Sequence, residues 1–312
     1  MENNSDSIYP PKPFLEKEEE KKGYIAVTVF SLLLFVLAFL LIMPDQKVFL
    51  SQLMIVLIVH ELGHFLLMKL FHYKNVRMLF IPLMGAFVHG HKDEFKQSES
   101  LLVILAGPIP GIIFGVLSFL LFFGTNAYLR DLGFLSIIVN AINLIPILPL
   151  DGGRLVKIIW PGKAELFQLI VLLIASLGIL FVSFWLQRYF LALIGVFMGL
   201  QLRTLHRRYL IHKEVREHEV VYQSTYEALS DRSYHFLKKK VLEHTAALRK
   251  MVSMDTGGID VDMNLMIAEE VKNVLETPMK KNVPLWIRIF IVLLWLGSIL
   301  VPVWIIFNYN QN

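Results

Sequence analysis

Apolar residues in this chain fall into long blocks separated by short polar stretches. They show neither the strict alternation of a half-buried strand nor the one-sided stripe of a soluble helix. Blocks long enough to cross a hydrocarbon layer about 30 Å thick lie near residues 23–43, 48–71, 99–123, 133–150, 166–186, 189–205 and 285–307. Asn140, Asn143, Pro146 and Pro149 interrupt the block at 133–150, which makes it the weakest of the set. The expected architecture is an all-α polytopic membrane protein of about seven transmembrane helices: six in a membrane domain over 23–205, and one at 285–307. Residues 76–90 depart from this pattern, being apolar, β-prone and too short to cross twice as helices, with Gly85 and Gly90 as punctuation. They are expected to form a short membrane-associated β-hairpin. Backbone at that depth has to line a cavity or be covered by protein.

Composition agrees with lipid as solvent. The chain is 55% hydrophobic and 18% charged over 312 residues, whereas soluble domains carry about a quarter charged residues. The first apolar block follows a mixed-charge stretch and has no small-x-small cleavage site after it, so it reads as a span and not as a signal peptide. Residues 1–22, containing SIYPPKPFLEKEEEKKG, read as a disordered tail, Pro-rich and then charged. Residues 206–284 are polar, with helical spacing in YHFLKKKVLEHTAALRKMV and a loop at 254–262. They are expected to form a mainly helical cytoplasmic segment, with 308–312 a short terminal tail.

Charge sets the orientation. With the N-terminus in the cytoplasm and sides alternating, one side collects Lys12, Lys17, Lys21, Lys22, Lys74, Arg77, Lys92, Lys96, Arg154, Lys157, Lys163 and the basic run from Arg203 to Arg208. The other keeps only Lys47, Arg130 and Arg188. That bias puts the basic side in the cytoplasm, as in a bacterial cytoplasmic membrane. The net charge of +4 itself says little about nucleic acid; its distribution reports on topology, and no nucleic-acid partner is expected. The absence of cysteine excludes disulfide and thiolate chemistry.

Against this background the stretch IVHELGHFLLMKLF at 58–71 stands out, because a membrane helix has strong reasons to avoid His60, Glu61 and His64. They form an HExxH motif, whose two imidazoles share a helix face and can reach one Zn²⁺, with the glutamate beside them as a base. A catalytic zinc takes three protein ligands and keeps one open position. Asp151, in NLIPILPLDGGRL at 143–155, is the candidate for the third. In the topology above, the second and fourth spans run in the same direction, so Asp151 and the two histidines fall at the same depth. Asp-Gly-Gly is equally good turn sequence. On spacing and depth alone, both readings of Asp151 stay open.

HELGH on one span followed by NLIPILPLDGG two spans later resembles the site-2 protease family, the intramembrane zinc metalloproteases. The AGP at 106–108 and the glycine-containing hairpin before it are also similar to that family's core, and the likeness covers residues 48–155. The resemblance implies one catalytic Zn²⁺ held by His60, His64 and Asp151, with Glu61 as the catalytic base. It implies that Asn143, eight residues before the aspartate, helps position substrate; the plainer reading of Asn143 is a packing amide. Asn140 matches no motif position. The implied activity is cleavage of a membrane-spanning helix of another protein, with the polar segment 206–284 open to a regulatory partner. His89 and His91 lack a third ligand and are expected to be structural, and His72 interfacial. A catalytically silent scaffold is disfavoured by the intact quartet, and a metal-binding transporter by the scarcity of other ionisable residues in the spans.

Overall fold

The computed structural model describes residues 9–15, 24–82, 85–92, 94–161, 164–187, 189–254 and 261–309. The chain divides into two compact units. One comprises residues 20–162 and 280–312, the other 1–19 and 163–279.

The first unit opens with helix α1, Tyr24–Ile42, and helix α2, Lys47–Leu70. Helix α2 ends where His72 takes a left-handed conformation (φ 59°) and the Tyr73 amide reaches back to the Met68 carbonyl, closing the last turn. The chain then forms strand β1, Lys74–Ile81, and strand β2, Gly85–His91, paired antiparallel with Met78 opposite Val88 and Phe80 opposite Ala86. This is the expected hairpin. Gly85, with φ 96°, begins the return strand in a conformation that side chains resist. Helix α1 lies against β1: Thr28 Oγ1 donates to the Met78 carbonyl at 2.6 Å, and the Phe80 amide donates to Ser31 Oγ at 3.2 Å. Phe35, Leu50, Leu57 and Phe80 bury the contact.

Helices α3, Gln97–Leu105, and α4, Pro108–Phe122, share one span that breaks at Ala106–Gly107. Pro108 at the first position of α4 brings no amide hydrogen, which is why the helix restarts there. Helix α5, Ala127–Asn143, packs on α4 through Gly115 and Gly133, where an added Cβ would meet opposing backbone at 2.8 Å and 2.6 Å. A seven-residue loop then leads to α6, Asp151–Ile159.

In the second unit, α7, Ala164–Trp185, and α8, Phe190–Glu217, pack as an antiparallel pair. Helix α8 begins apolar and ends charged. Its polar half joins α9, Asp231–His244, α10, Ala246–Met254, and α11, Val261–Val274, around a core that includes Val215, Tyr234, Leu237, Ala268 and Val271. The expected loop at 254–262 falls largely on 255–260, outside the described residues. The chain returns to the first unit with α12, Leu285–Tyr309.

Among the described residues, five helices are long and apolar enough to cross a membrane: Ile25–Ile42, Lys47–Leu70, Gln97–Phe122, Ala164–Trp185 and Leu285–Ile305. The other two blocks also form helices. The block at 133–150 becomes α5, which stops at Asn143 before the two prolines. The block at 189–205 is the apolar start of α8, which turns basic from Arg203 onward. Residues 9–15, within the stretch expected as a tail, rest on α9. Residues 1–8 and 16–22 lie outside the described residues.

Candidate metal centre

His60, Glu61 and His64 lie on α2 and are buried, at 2%, 5% and 5% exposure. Spacing alone puts the two imidazoles on one face, with ring centroids 4.8 Å apart. What aims them is the set of groups behind them. His60 Nδ1 stands 2.6 Å from Asn140 Oδ1, and Asn140 Nδ2 donates to the Ser136 carbonyl at 2.7 Å. That carbonyl can only accept, so the amide's oxygen is the atom facing His60, and His60 Nδ1 carries the proton. His64 Nδ1 donates to the Val103 carbonyl at 2.7 Å. Val103 lies in the last turn of α3, where its carbonyl keeps only a long 3.3 Å bond from the Ala106 amide, so the break at Ala106–Gly107 leaves it open to His64.

Both tautomers are thereby set, and both Nε2 atoms present bare lone pairs. They lie 3.1 Å from each other, and each is 3.1 Å from Asp151 Oδ2. Three electron-rich atoms thus meet in a buried pocket with both imidazole protons turned away. Buried acceptors without a donor are costly and repel one another. A cation at their centre converts that repulsion into coordination. Tetrahedral ligands about 2.1 Å from a zinc ion stand about 3.4 Å apart, close to the separations here. Two imidazoles and a carboxylate, each imidazole backed by a carbonyl-type acceptor, fit zinc in both donor set and outer support.

Glycines let the backbone close around these atoms. A Cβ on Gly63 would stand 2.0 Å from the Ala106 carbonyl oxygen, so the glycine of HELGH lets α2 touch the α3–α4 break. One on Gly107 would stand 2.4 Å from His64 Nε2 and 2.9 Å from His60 Nε2. Asp151 is the first residue of α6, and Gly152 and Gly153 would meet the backbone at Leu144 (2.1 Å) and Ile147 (2.5 Å) if they carried side chains. The two glycines fold the loop 144–150 tightly onto the helix that it delivers. Arg154 Nη1, 3.9 Å from Asp151 Oδ1, lies by the oxygen that the histidines do not share.

The remaining candidates are placed elsewhere. Asn143 is half-buried, and its Nδ2 donates to the Val139 carbonyl of its own helix at 3.1 Å. His89 and His91 are exposed on β2, opposite Arg77 and Lys74. Sequence reasoning passed over Asn140, which is fully buried and touches His60 directly. The available signal was a serine at i−4: Ser136 and Asn140 form a polar pair inside an apolar block, where each needs a reason.

The second unit holds another group of ligand type, Glu165, His212 and Glu276. His212 Nδ1 lies 2.5 Å from Glu165 Oε1, and its Nε2 donates to the Val274 carbonyl at 2.8 Å. Arg216 stands 3.6 Å from Glu165 and Arg208 3.9 Å from Glu276. Two guanidiniums thus stand against the two carboxylates, and His212 links Glu165 to the Val274 carbonyl.

The model for Peptidase family M50 matches residues 48–130 and 122–184. A zinc metalloprotease of Methanocaldococcus jannaschii is 32% identical over 144 residues, which cover 43% of this chain and 41% of that protein. Stage IV sporulation protein FB of Bacillus subtilis is 28% identical over 233 residues, 67% of this chain and 80% of that one. The chain thus spans about two fifths of the first relative and four fifths of the second. A solved structure of the site-2 protease from Methanocaldococcus jannaschii aligns at a TM-score of 0.42 and 22% identity, over 56% of this chain and 86% of that one. The matched stretch, a little under half of the chain, contains His60, Glu61, His64, Asn140 and Asp151, and over residues 48–184 this chain is similar to Peptidase family M50.

Proposed function

We propose that the chain is an intramembrane zinc endopeptidase that cuts a membrane-spanning segment of another protein. The observation that carries this reading is the meeting of His60 Nε2, His64 Nε2 and Asp151 Oδ2 at 3.1 Å, protons turned away, inside a helix bundle. His60, His64 and Asp151 would hold the ion. Zinc bound there supplies Lewis acidity toward a peptide carbonyl and makes water acidic enough to react near neutral pH. Glu61, buried one residue after His60, takes the proton of the attacking water and returns it to the leaving amine. Asn140 and the Val103 carbonyl keep both imidazoles in the tautomer that leaves Nε2 bare.

The substrate has to arrive unwound, because carbonyls of an intact helix are bonded within it. The hairpin offers the complementary edge. Thr28 and Ser31 occupy Met78 and Phe80 on the outer side of β1, so those residues face α1 while Arg77 and Leu79 face β2. By the same alternation Ala86, Val88 and Gly90 turn their amides and carbonyls to the outer side of β2. An unwound substrate strand adds there. Asn143 lies one turn beyond Asn140 along α5, and on this reading its amide leaves Val139 to meet the substrate backbone. Val88→Pro removes one edge donor without touching the metal ligands. Cleavage of a model membrane substrate is expected to fall about tenfold or more with zinc content unchanged; unchanged cleavage sinks the strand-addition step.

The decisive comparison is Glu61→Gln against Asp151→Ala in the purified full chain and in cells. Glu61→Gln is expected to keep about one zinc per chain and lose at least about a hundredfold in cleavage. Asp151→Ala is expected to lose the zinc itself. A membrane protein that accumulates uncut with Glu61→Gln identifies the substrate. A wild-type chain that binds no zinc, with no protein accumulating in the variant, overturns the proposal.

A further inference from the structure

The segment Tyr-Pro-Pro-Lys-Pro-Phe-Leu at 9–15 has no regular secondary structure, yet polar contacts hold it along its length. The Lys12 ammonium is surrounded by three backbone carbonyls of the turn before α9. It donates to Tyr226 at 2.7 Å, to Glu227 at 3.0 Å and to the Leu229 carbonyl. It also lies over the Tyr226 ring, 5.4 Å from the centroid. The Lys12 amide donates to Asp231 Oδ1 at 2.9 Å. On either side the prolines contribute acceptors: His235 Nε2 donates to the Pro10 carbonyl at 2.8 Å, and Tyr226 Oη donates to the Pro13 carbonyl at 2.8 Å. Tyr9 stacks on His235 at 5.7 Å, and Leu15 packs on the core of the helical bundle.

These contacts have the logic of peptide recognition. A turn whose carbonyls converge makes a negative cradle sized for an ammonium, which has three donors and no acceptor. Asp231, at the start of α9, adds a carboxylate on the backbone side. Tyr226, Tyr234 and His235 form the aromatic floor, with Tyr234 edge-on to both neighbours at 6.0 Å and 5.3 Å. Prolines on both sides of the lysine stiffen the segment, so little chain entropy is lost on docking. Proline also has no amide hydrogen, so only its carbonyl needs a partner, and the site supplies one for Pro10 and one for Pro13.

We propose that residues 226–235 form a lysine-reading peptide-docking site, and that residues 9–15 are its ligand, bound within the same chain. The N-terminal segment is thereby a releasable strap on the α8–α11 bundle, and its lysine is the specificity contact.

The test uses the full chain in detergent and a fluorescent synthetic peptide, IYPPKPFL, matching residues 8–15. A tethered segment acts at an effective concentration of about millimolar, so the wild-type chain is expected to bind free peptide about 10–100-fold more weakly than a Lys12→Glu chain, whose own segment is expelled by Asp231 and the carbonyl cradle. The same peptide with glutamate in place of lysine is expected not to bind either chain. Hydrogen exchange is expected to rise at Tyr226–Asp231 in Lys12→Glu and stay unchanged at Leu237 and Val271, which reports that the bundle is folded. If Lys12→Glu disturbs Leu237 and Val271 as well, Lys12→Gln takes its place: it alters only the tethered ligand, leaves residues 226–235 intact and is expected to increase peptide binding by a smaller factor. Equal peptide binding to wild type and vacated chain, or no binding to either, overturns the proposal.

Discussion

Asn140 is the residue on which the geometry of the candidate centre turns. Neutral imidazole can carry its proton on either nitrogen, and with the wrong tautomer His60 would point an N–H at the metal. The Ser136 carbonyl orients the Asn140 amide, the amide oxygen holds the His60 proton on Nδ1, and the lone pair is left on Nε2. Ser136 is itself anchored to the Gly111 carbonyl at 2.8 Å, and a Cβ on Gly111 would fall 2.3 Å from Asn140 Nδ2, so the relay is tightly enclosed. Asn140→Leu removes the acceptor at similar volume. It is expected to weaken zinc binding about 10–100-fold in competition with a chelator, and Asn140→Asp, which keeps the acceptor, is expected to retain most of it. Equal zinc affinity in wild type and Asn140→Leu would refute the positioning role. Very little of this was legible in the sequence. The HExxH spacing identifies two ligands because a helix brings i and i+4 together by itself, whereas the His60–Asn140 contact spans 80 positions and follows from the way α5 packs on α2.

At the scale of elements, the loop 144–150 has to deliver Asp151 at the right depth, and α12 is part of what holds it. Trp295, only 7% exposed, donates its indole N–H to the Leu144 carbonyl at 2.8 Å. Leu144 caps the C-terminus of α5, where the carbonyl would otherwise lack a helical partner. Nearer its start, α12 is tied to α3: Gln97, fully buried, donates to the Ile158 carbonyl, and its oxygen accepts from the Val283 amide and from Arg288. The last helix thus belongs to the scaffold of the candidate centre, although it lies far outside the stretch that resembles the family. Trp295→Phe keeps the ring and removes the donor, leaving a buried carbonyl unpaired. It is expected to cost about 1–3 kcal/mol of stability and to speed zinc loss to chelator. A variant with unchanged thermal midpoint and unchanged zinc retention would show that α12 does not support the loop.

For the whole molecule, the charged helical bundle of the second unit responds to acid in a way that follows from its ion pairs. Lys240, with help from His244, holds the Glu214 carboxyl below the ordinary carboxylate range; both contacts join α8 to α9, at 2.6 Å and 2.8 Å. A carboxyl whose folded value is depressed binds fewer protons folded than unfolded, so its contribution is present above the unfolded value of about 4.3 and is lost as pH falls below it. The pair is partly exposed, so the contribution is below about 1 kcal/mol. Glu214→Gln is expected to lower the thermal midpoint slightly at pH 7 and to flatten its fall between about pH 5 and pH 3. Parallel pH profiles for the two chains would exclude Glu214 as a contributor.

Taken by itself, the sequence determined everything that depends on local spacing or on solvent: the long apolar blocks, the β-hairpin, the zinc-type pair on α2 and, through the resemblance, the pairing with Asp151. It did not determine where the helices in its apolar blocks begin and end, because the prolines after α5 and the basic half of α8 act only through the helix ends they impose. Nor did it reveal that Pro-Pro-Lys-Pro has a cradle waiting more than 200 positions away. Tertiary structure alone decided the tautomers of His60 and His64, the service of Val103 and Asn140, and the support from α12. The physical reason is common to all of them. A hydrogen-bond donor or acceptor declares its need in the sequence, but which distant group meets that need is settled only when the helices pack.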